Sequence, residues 1–323
     1  VRATGRSAPG GADPSAAAPE GVLVVDKPAG PTSFDVVARV RRLLRAEKAG
    51  HTGTLDPLAT GVLAVCVGAA VKLQQFLSEG DKTYLATFAF GAATTTEDAQ
   101  GEVVERGDAS GLDEERVRAT LARFVGTLSQ VPPMYSAVRV AGERLHEAAR
   151  AGRNVERAPR TVHVRALELI ALERAGTSVH ALVRVRCGKG TYVRTLAADA
   201  GRALGIPAHL AALRRTEAGP FGLADAIPLA EAETLAAHEP TALLRRLVPL
   251  AEALRGWPSV QLSPSQAREM AHGHPVETGA VEVVGLCRAL DPDGRLLAVC
   301  EGRGASLRPL RVLAGPPPRA LVR

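Results

Sequence analysis

Apolar positions along the chain fall into short runs of two periods, which predict strands and helices from residue 21 onward. Gly21-Val-Leu-Val-Val25 is a short apolar strand, closed by Asp26-Lys-Pro-Ala-Gly-Pro31, whose prolines and glycine enforce a loop. Thr32 followed by Asp35 has the spacing of a capping box, with Asp shorter than the usual Glu. Val36, Val37, Val40, Leu43 and Leu44 share one helical face, and Arg39, Arg41, Arg42 and Arg45 take the remainder. The continuous apolar run 62–67 suits a strand buried on both faces. A helix is expected over 70–78 and a strand through 84–90. Residues 91–101 have no apolar period and predict a loop. Asp113 can cap a helix whose Val117, Leu121 and Phe124 lie on one face.

Prolines, glycines and arginines crowd residues 125–160, which predict an irregular excursion with a short helix around 143–151. Strands are expected over 161–172 and 178–187. In the second, Val179, Ala181, Val183, Val185 and Cys187 alternate with His180, Leu182, Arg184 and Arg186. From Tyr192 a helix places Val193, Leu196, Ala197, Ala200 and Leu204 together, and a strand near 209–217 holds Leu213-Arg214-Arg215. Proline-broken short helices over 222–258 form a bridge between two domains. Ser263-Pro-Ser-Gln266 is a helix start, with a capping residue, Pro at the first helical position and Gln three after the cap. Two strands flank the turn Asp291-Pro-Asp-Gly294. No internal repeat is visible.

Composition narrows this picture moderately. At 323 residues, 46% hydrophobic and 23% charged, the chain is long enough for about two globular domains. A net charge of +6 is compatible with a polyanionic partner without requiring one. The distribution of rare residues is more informative. Lysine occurs only at 27, 48, 72, 82 and 189 and tyrosine only at 84, 135 and 192, yet the two meet in Asp81-Lys-Thr-Tyr84 and Gly188-Lys-Gly-Thr-Tyr192. The four cysteines (66, 187, 287, 300) have no metal-like spacing and predict buried thiols. Residues 1–19 lack the apolar core of a signal peptide and no apolar run approaches membrane-spanning length, so the expectation is a cytoplasmic protein with a disordered leader.

The stretch Ala49-Gly-His-Thr-Gly-Thr-Leu-Asp-Pro-Leu-Ala-Thr-Gly61 stands out because its glycines permit unusual backbone while Pro57 stiffens the position of Asp56. It is either a connector or a display for a reactive carboxylate. Two other attractive features carry less. His272-Gly-His274 lacks further metal ligands and fits a helix end at glycine. In Gly188-Lys-Gly-Thr191 the first glycine stands too near the lysine for a phosphate-binding P-loop.

Asp26-Lys-Pro, the loop 50–61, Asp81-Lys-Thr-Tyr84, Lys189-Gly-Thr-Tyr-Val-Arg-Thr195 and Leu213-Arg-Arg215, in that order, resemble the motifs of TruB-type tRNA pseudouridine synthases. The resemblance runs from about residue 20 to 230, and the C-terminal module resembles the small PUA-type RNA-binding domain of that family. It implies an α+β fold: a catalytic domain over 20–250 on a largely antiparallel mixed sheet with an insertion at about 125–155, a β-rich PUA-like domain over 251–315, and a tail over 316–323. It implies isomerisation of uridine to pseudouridine in the T loop of tRNA, at the position conventionally numbered 55. No cofactor, metal, membrane or protein partner is implied, and the enzyme is expected to be a monomer acting on the T arm. The loop continues after Asp-Pro as Leu58-Ala-Thr-Gly61, the bacterial version, whereas the guide-RNA-dependent dyskerin-like branch carries Lys-Val-Thr-Gly there.

Residue by residue, Asp56 matches the catalytic aspartate. An ordinary aspartate, with a pKa of roughly 3.9, is ionised at neutral pH and can attack a sugar carbon or remove its proton. Arg194 matches the arginine that pairs with it and is expected to hold it ionised. Tyr84 matches a residue that stacks on the flipped uracil and is a candidate for proton removal; Tyr192 matches a second pocket tyrosine. Leu213 matches an apolar residue of the base pocket, and His51 one that enters the space left by flipped nucleotides. Lys27 is expected to support the active-site loop or a phosphate. Arg41-Arg42 and Arg214-Arg215 ordinarily form solvated faces; with an RNA partner they become phosphate-contact candidates.

Overall fold

The computed structural model describes residues 18–136, 139–140, 143–145, 153, 155–279 and 281–313. The expected leader up to residue 17, the tail, and the helix around 143–151 beyond residue 145 lie outside the described residues.

The apolar strand near the N-terminus is β1 (Gly21–Lys27). The Thr32–Asp35 capping box forms and starts α1 (Ser33–Leu43), whose Val36, Val37 and Val40 are buried. Then come β2 (Ala49–His51) and β3 (Thr60–Val67), antiparallel partners on either side of the glycine-rich loop. The helix expected over 70–78 is a 3-10 turn, Gly68–Leu73, running into one α-turn, α2 (Gln74–Leu77). Val67 supplies no side-chain cap there, and the uncapped start tightens to 3-10 geometry. Strand β4 (Lys82–Phe90) covers the strand expected through 84–90, and its burial alternates from Lys82 to Phe88.

Residues 91–101 are not wholly loop: β5 (Ala92–Thr94) folds back on β6 (Val103–Arg106). All four residues of β6 are exposed, so the sequence has no alternation to reveal it. Helix α3 (Glu114–Ala122) is capped by Asp113. The stretch read as an irregular excursion begins with a strand of the main sheet, β7 (Gly126–Gln130), which pairs with the first residues of β10. Two short strands, β8 (Arg139–Val140) and β9 (Glu143–Arg144), pair antiparallel within the insertion.

Long antiparallel partners follow, β10 (Arg160–Ala175) and β11 (Ser178–Cys187), then α4 (Val193–Leu204), β12 (Ala208–Ala218), β13 (Phe221–Gly222) and β14 (Ile227–Pro228). The bridge carries α5 (Leu229–His238) and α6 (Pro240–Arg245). The C-terminal module holds β15 (Ser259–Gln261), α7 (Pro264–Ala271) with its capping box, β16 (Val276–Glu277), β17 (Val283–Leu290), β18 (Leu296–Gly304) and β19 (Ser306–Val312).

The main sheet runs β14-β1-β3-β12-β4-β11-β10-β7, with β2 on β3 and β13 on β12; the module's sheet runs β15-β17-β18-β19-β16. Among the described residues, the parallel pairs of the main sheet are β1–β14 and β3–β12. Strands β1 and β3 are buried on both faces, which accounts for their unbroken apolar runs. Leu23, Val25, Leu63 and Val65 face a core built with α1 and α4. Val22, Val24, Val62, Ala64 and Cys66 face a second core that includes Leu296, Val299 and Leu313 of the C-terminal module. The module is therefore packed against the back of the sheet that carries the glycine-rich loop. All four cysteines are buried free thiols.

Gly61 is the tightest point of this arrangement. It opposes Arg215 in the parallel β3–β12 pair, with φ at +98°, and a Cβ there would stand 2.1 Å from the Arg215 carbonyl oxygen. Gly61→Ala should destabilise the protein by roughly 2–4 kcal/mol, from clash and positive φ together. Urea denaturation checks this; an unchanged midpoint would mean that β3 and β12 do not approach so closely.

Candidate active site

The loop between β2 and β3 is irregular and mostly enclosed, so its polar backbone needs partners from elsewhere. Three buried side chains provide them. Arg215, 1% exposed, donates from Nε to Val62 O (2.7 Å), from Nη2 to Gly53 O (3.0 Å) and from Nη1 to Thr54 O (3.3 Å). Lys27, 0% exposed, donates through Nζ to Ala59 O (2.7 Å), Pro28 O (3.0 Å) and Pro57 O (3.3 Å). The Ser33 hydroxyl accepts from Leu55 N (2.7 Å) and donates to Leu55 O (2.9 Å). Within the loop, Ala59 N donates to Asp56 O at 3.0 Å.

These bonds correct two expectations. Lys27 is sealed under the loop and out of reach of a phosphate, leaving its loop-supporting role. Arg215 is not on a solvated face: β12 places it beneath the loop. Its neighbour Arg214 forks onto the Asp26 carboxylate, at 2.7 and 3.1 Å. Arg41 and Arg42 are exposed, as expected.

So held, Asp56 presents a side chain that remains 30% exposed. Arg194, on the first turn of α4 and 3% exposed, reaches it with Nη2 3.2 Å from each carboxylate oxygen. The same guanidinium donates to Tyr135 O (2.7 Å) and faces a second carboxylate, Asp98, at 3.7 Å. Asp98 is buried, and its Oδ1 accepts from Thr96 Oγ1 (2.6 Å) and Gln100 N (3.0 Å). Sequence reasoning places Asp98 in a featureless loop; its one signal is an acid that follows Thr94-Thr-Thr-Glu97 in a stretch without apolar period.

A cavity of about 750 Å³ opens over Asp56, a size suited to a small organic group. His51, Asp56, Tyr84, Tyr192, Arg194 and Leu213 line it together, although they come from four strands and helices or the loops between them. Of the sequence-derived site residues only Lys27 is outside the lining. Lys82, Arg215 and, from the C-terminal module, Arg311 line it as well. Burial pushes Lys27 and Lys82 down to about 8 each; Asp56 counters this at Lys27.

Burial is also the largest influence on Asp56, lifting its pKa above the ordinary carboxylate value; Arg194 opposes this, Asp98 adds to it, and Lys27 opposes it. The arginine thus does not leave Asp56 with an ordinary or lowered pKa, because the burial that sharpens the pair also penalises its charge. Burial raises Tyr84 further above the usual phenol value, against the pull of Arg215. Tyr84 is therefore a neutral phenol at neutral pH, suited to stacking, and proton removal by its phenolate is disfavoured. His51, pushed down mainly by burial, is neutral, with its Nδ1 buried and unpartnered. His272 and His274 stack on each other, with His274 on Glu269; among the described residues no cluster of three potential metal ligands occurs.

Comparison with known proteins adds independent information. The model for the "TruB family pseudouridylate synthase (N terminal domain)" matches residues 41–193, that for the "tRNA pseudouridylate synthase B C-terminal domain" residues 194–255, and that for "tRNA Pseudouridine synthase II, C terminal" residues 257–314. The tRNA pseudouridine synthase B of Stutzerimonas stutzeri is 45% identical over 90% of this chain and 95% of its own. This chain belongs to the TruB family of pseudouridylate synthases. A second relative, the tRNA pseudouridine synthase B of Burkholderia mallei, is 46% identical over 91% of this chain and 97% of its own. Among solved structures, a Cbf5-Nop10-Gar1 complex contains a chain similar with a TM-score of 0.68 and 27% identity, covering 91% of this chain and 85% of that one. A chain of an H/ACA RNP bound to a substrate RNA containing 2′-deoxyuridine is similar with the same TM-score and 26% identity, over 91% and 85%. The TruB-family fold is thus α+β, a mixed sheet with a small β-rich sheet behind it. Among the described residues no helix is long and apolar enough to cross a membrane.

The electrostatics generate a pH prediction. Activity that needs ionised Asp56 should lose kcat/KM on the acid side through a limb above the ordinary aspartate value. Arg194→Gln removes the main group that lowers the Asp56 pKa, so the limb should move to higher pH, with a loss of about 10²-fold or more at neutral pH. A pH–rate profile that keeps its acid limb in place would show that the pair does not control the titration.

Proposed function

We propose that this TruB-family chain isomerises uridine to pseudouridine in the T loop of tRNA, at the position conventionally numbered 55, using Asp56 and no guide RNA. It acts on the T arm as a monomer in the cytoplasm, with residues 20–250 forming the catalytic domain and 251–315 an RNA-binding module. One observation carries the reading: a partly exposed carboxylate, ion-paired to a buried arginine, sits in one cavity with two tyrosines and an apolar leucine.

The chemistry breaks the ribose–base bond at nitrogen, turns the base and rejoins it through carbon. It requires the base out of its stack, which typically costs a few kcal/mol, while stacking on an aromatic returns about 1–3 kcal/mol per base. Tyr84 and Tyr192 are the stacking candidates, and Leu213 supplies an apolar wall. Asp56 acts at the sugar as nucleophile or base, and its negative charge favours the positive charge that develops there. Arg194 orients the carboxylate, an interaction of about 4 kcal/mol before desolvation at an effective dielectric of 20. His51, at the cavity wall, contacts the RNA around the extruded nucleotide. Lys27 fixes the loop. The higher identity to tRNA pseudouridine synthase B of two bacteria (45–46%) than to chains of a Cbf5-Nop10-Gar1 complex and an H/ACA RNP (26–27%) supports guide independence, as does Leu58-Ala-Thr-Gly61 after Asp-Pro.

Purified protein and a T-arm transcript, with nothing added, should yield pseudouridine detectable by chemical labelling. Asp56→Asn should bind the same RNA within a few-fold yet convert it at least about 10³-fold more slowly. If wild type and variant both bind and neither converts uridine, the enzyme reading is wrong.

A further inference from the structure

Helix α4 starts in an unusual way. Its N-cap is Tyr192, a residue type with no short side-chain acceptor for the free N–H groups of a first turn, and its side chain makes no capping bond. The preceding Thr191 is committed elsewhere, donating its hydroxyl to Gly188 O at 3.1 Å. The helix start is instead held from across the fold. Gln130, 3% exposed at the end of the edge strand β7, accepts from Tyr192 N through Oε1 at 2.8 Å and donates through Nε2 to Tyr192 O at 3.0 Å. Tyr192 O also accepts the first helical bond, from Leu196 N, so this carbonyl uses both lone pairs.

What hangs on this clamp is the cavity. The residue clamped carries one of the two pocket tyrosines, and two residues on stands Arg194. The chain leaving Gln130 touches the same helix start again, where Tyr135 O takes the shortest hydrogen bond made by Arg194. A tyrosine at an N-cap is a poor choice for helix stability and a useful one for placing an aromatic ring; a two-bond amide from another strand reconciles the two demands. A single hydrogen bond would leave the main chain free to pivot, whereas a matched donor and acceptor fix its direction as a strand partner does.

We propose that Gln130 is a positioning residue for the reaction: by clamping the main chain of Tyr192 it sets both the Tyr192 ring and the Arg194 guanidinium against Asp56. The proposal deepens the reading of the site given above and rests on it. Gln130 touches neither substrate nor the reacting atoms and acts through α4.

Three variants test it. Gln130→Met keeps length and loses both bonds; it should lower kcat about 10- to 100-fold, the scale of an ångström-level misplacement, with KM within about twofold. It should also move the acid limb of kcat/KM to higher pH, in the direction of Arg194→Gln, because a loosened arginine opposes the burial of Asp56 less. Gln130→Glu keeps an acceptor for Tyr192 N and loses the donor, and should recover part of kcat. Leu128→Ala, on the same strand, serves as the stability control: a lower Tm with unchanged kcat per folded enzyme. In parallel, carbon-13 NMR of the Asp56 carboxyl, assigned with Asp56→Asn, should show its titration shifted upward in Gln130→Met.

If Gln130→Met behaves as Leu128→Ala does, with the Asp56 titration in place, the clamp is merely structural and the proposal is overturned. If wild type converts no uridine, the functional reading fails, yet the NMR titration still decides the clamp: an upward shift supports it and an unmoved one rejects it.

Discussion

Two buried cations bonded to the carbonyls of one loop are the constraint from which the rest of the site follows. A segment that must display a carboxylate cannot hide its backbone in a helix or a ladder, and enclosed carbonyls without donors would each cost on the order of 1–3 kcal/mol. Lys27 from the end of β1 and Arg215 from β12 enter from below and bond to five carbonyls of residues 53–62 between them. This ties the loop to two different strands of the sheet. It also explains the parallel β3–β12 pair: only that neighbour places Arg215 under the loop, and only glycine at 61 lets the strands close over it.

Burying charge to hold a loop has electrostatic consequences for what the loop carries. Lys27 is held down to about 8, a sign that carbonyl dipoles and Asp56 only partly replace its hydration. Asp56 responds in the opposite direction, with burial outweighing the attraction of Arg194 and Lys27. Arg194, shared between Asp56, Asp98 and two backbone carbonyls, is held by more partners than the carboxylate it orients. A carboxylate kept in place but imperfectly solvated suits an attack on a sugar, since little water has to be stripped from it before reaction.

The C-terminal module is continuous with this centre. Its Leu296, Val299 and Leu313 share a core with the even-numbered positions of β1 and β3. Lys72 donates to Val312 O and Leu313 O, both at 3.2 Å, and Arg311 lines the cavity over Asp56. The strands that present the loop on one side thus carry the module on the other, and its last strand reaches the mouth of the site.

Local rules were enough for much of this molecule. The apolar runs of β1 and β3, the alternation of β11, and the caps Thr32–Asp35, Asp113 and Ser263–Gln266 depend on residues within a few positions of one another, and each is where the sequence placed it. The pairing of scarce Lys and Tyr, with the stretch around Asp56, marked Tyr84, Tyr192, His51 and Asp56, whereas Arg194, Leu213 and Lys27 stood out only through the resemblance of their motifs to the family. Other features depended on which distant strands pair and in what register. Arg214 and Arg215 are indistinguishable in sequence, yet one forks onto Asp26 near the surface and the other is sealed under a loop some 160 positions away in the chain. Asp98 and Gln130 sit in stretches with no apolar period, and only tertiary contact gives them Arg194 and Tyr192 as partners. The direction of the Asp56 pKa was decided there too, because desolvation is a property of the enclosure and not of the motif.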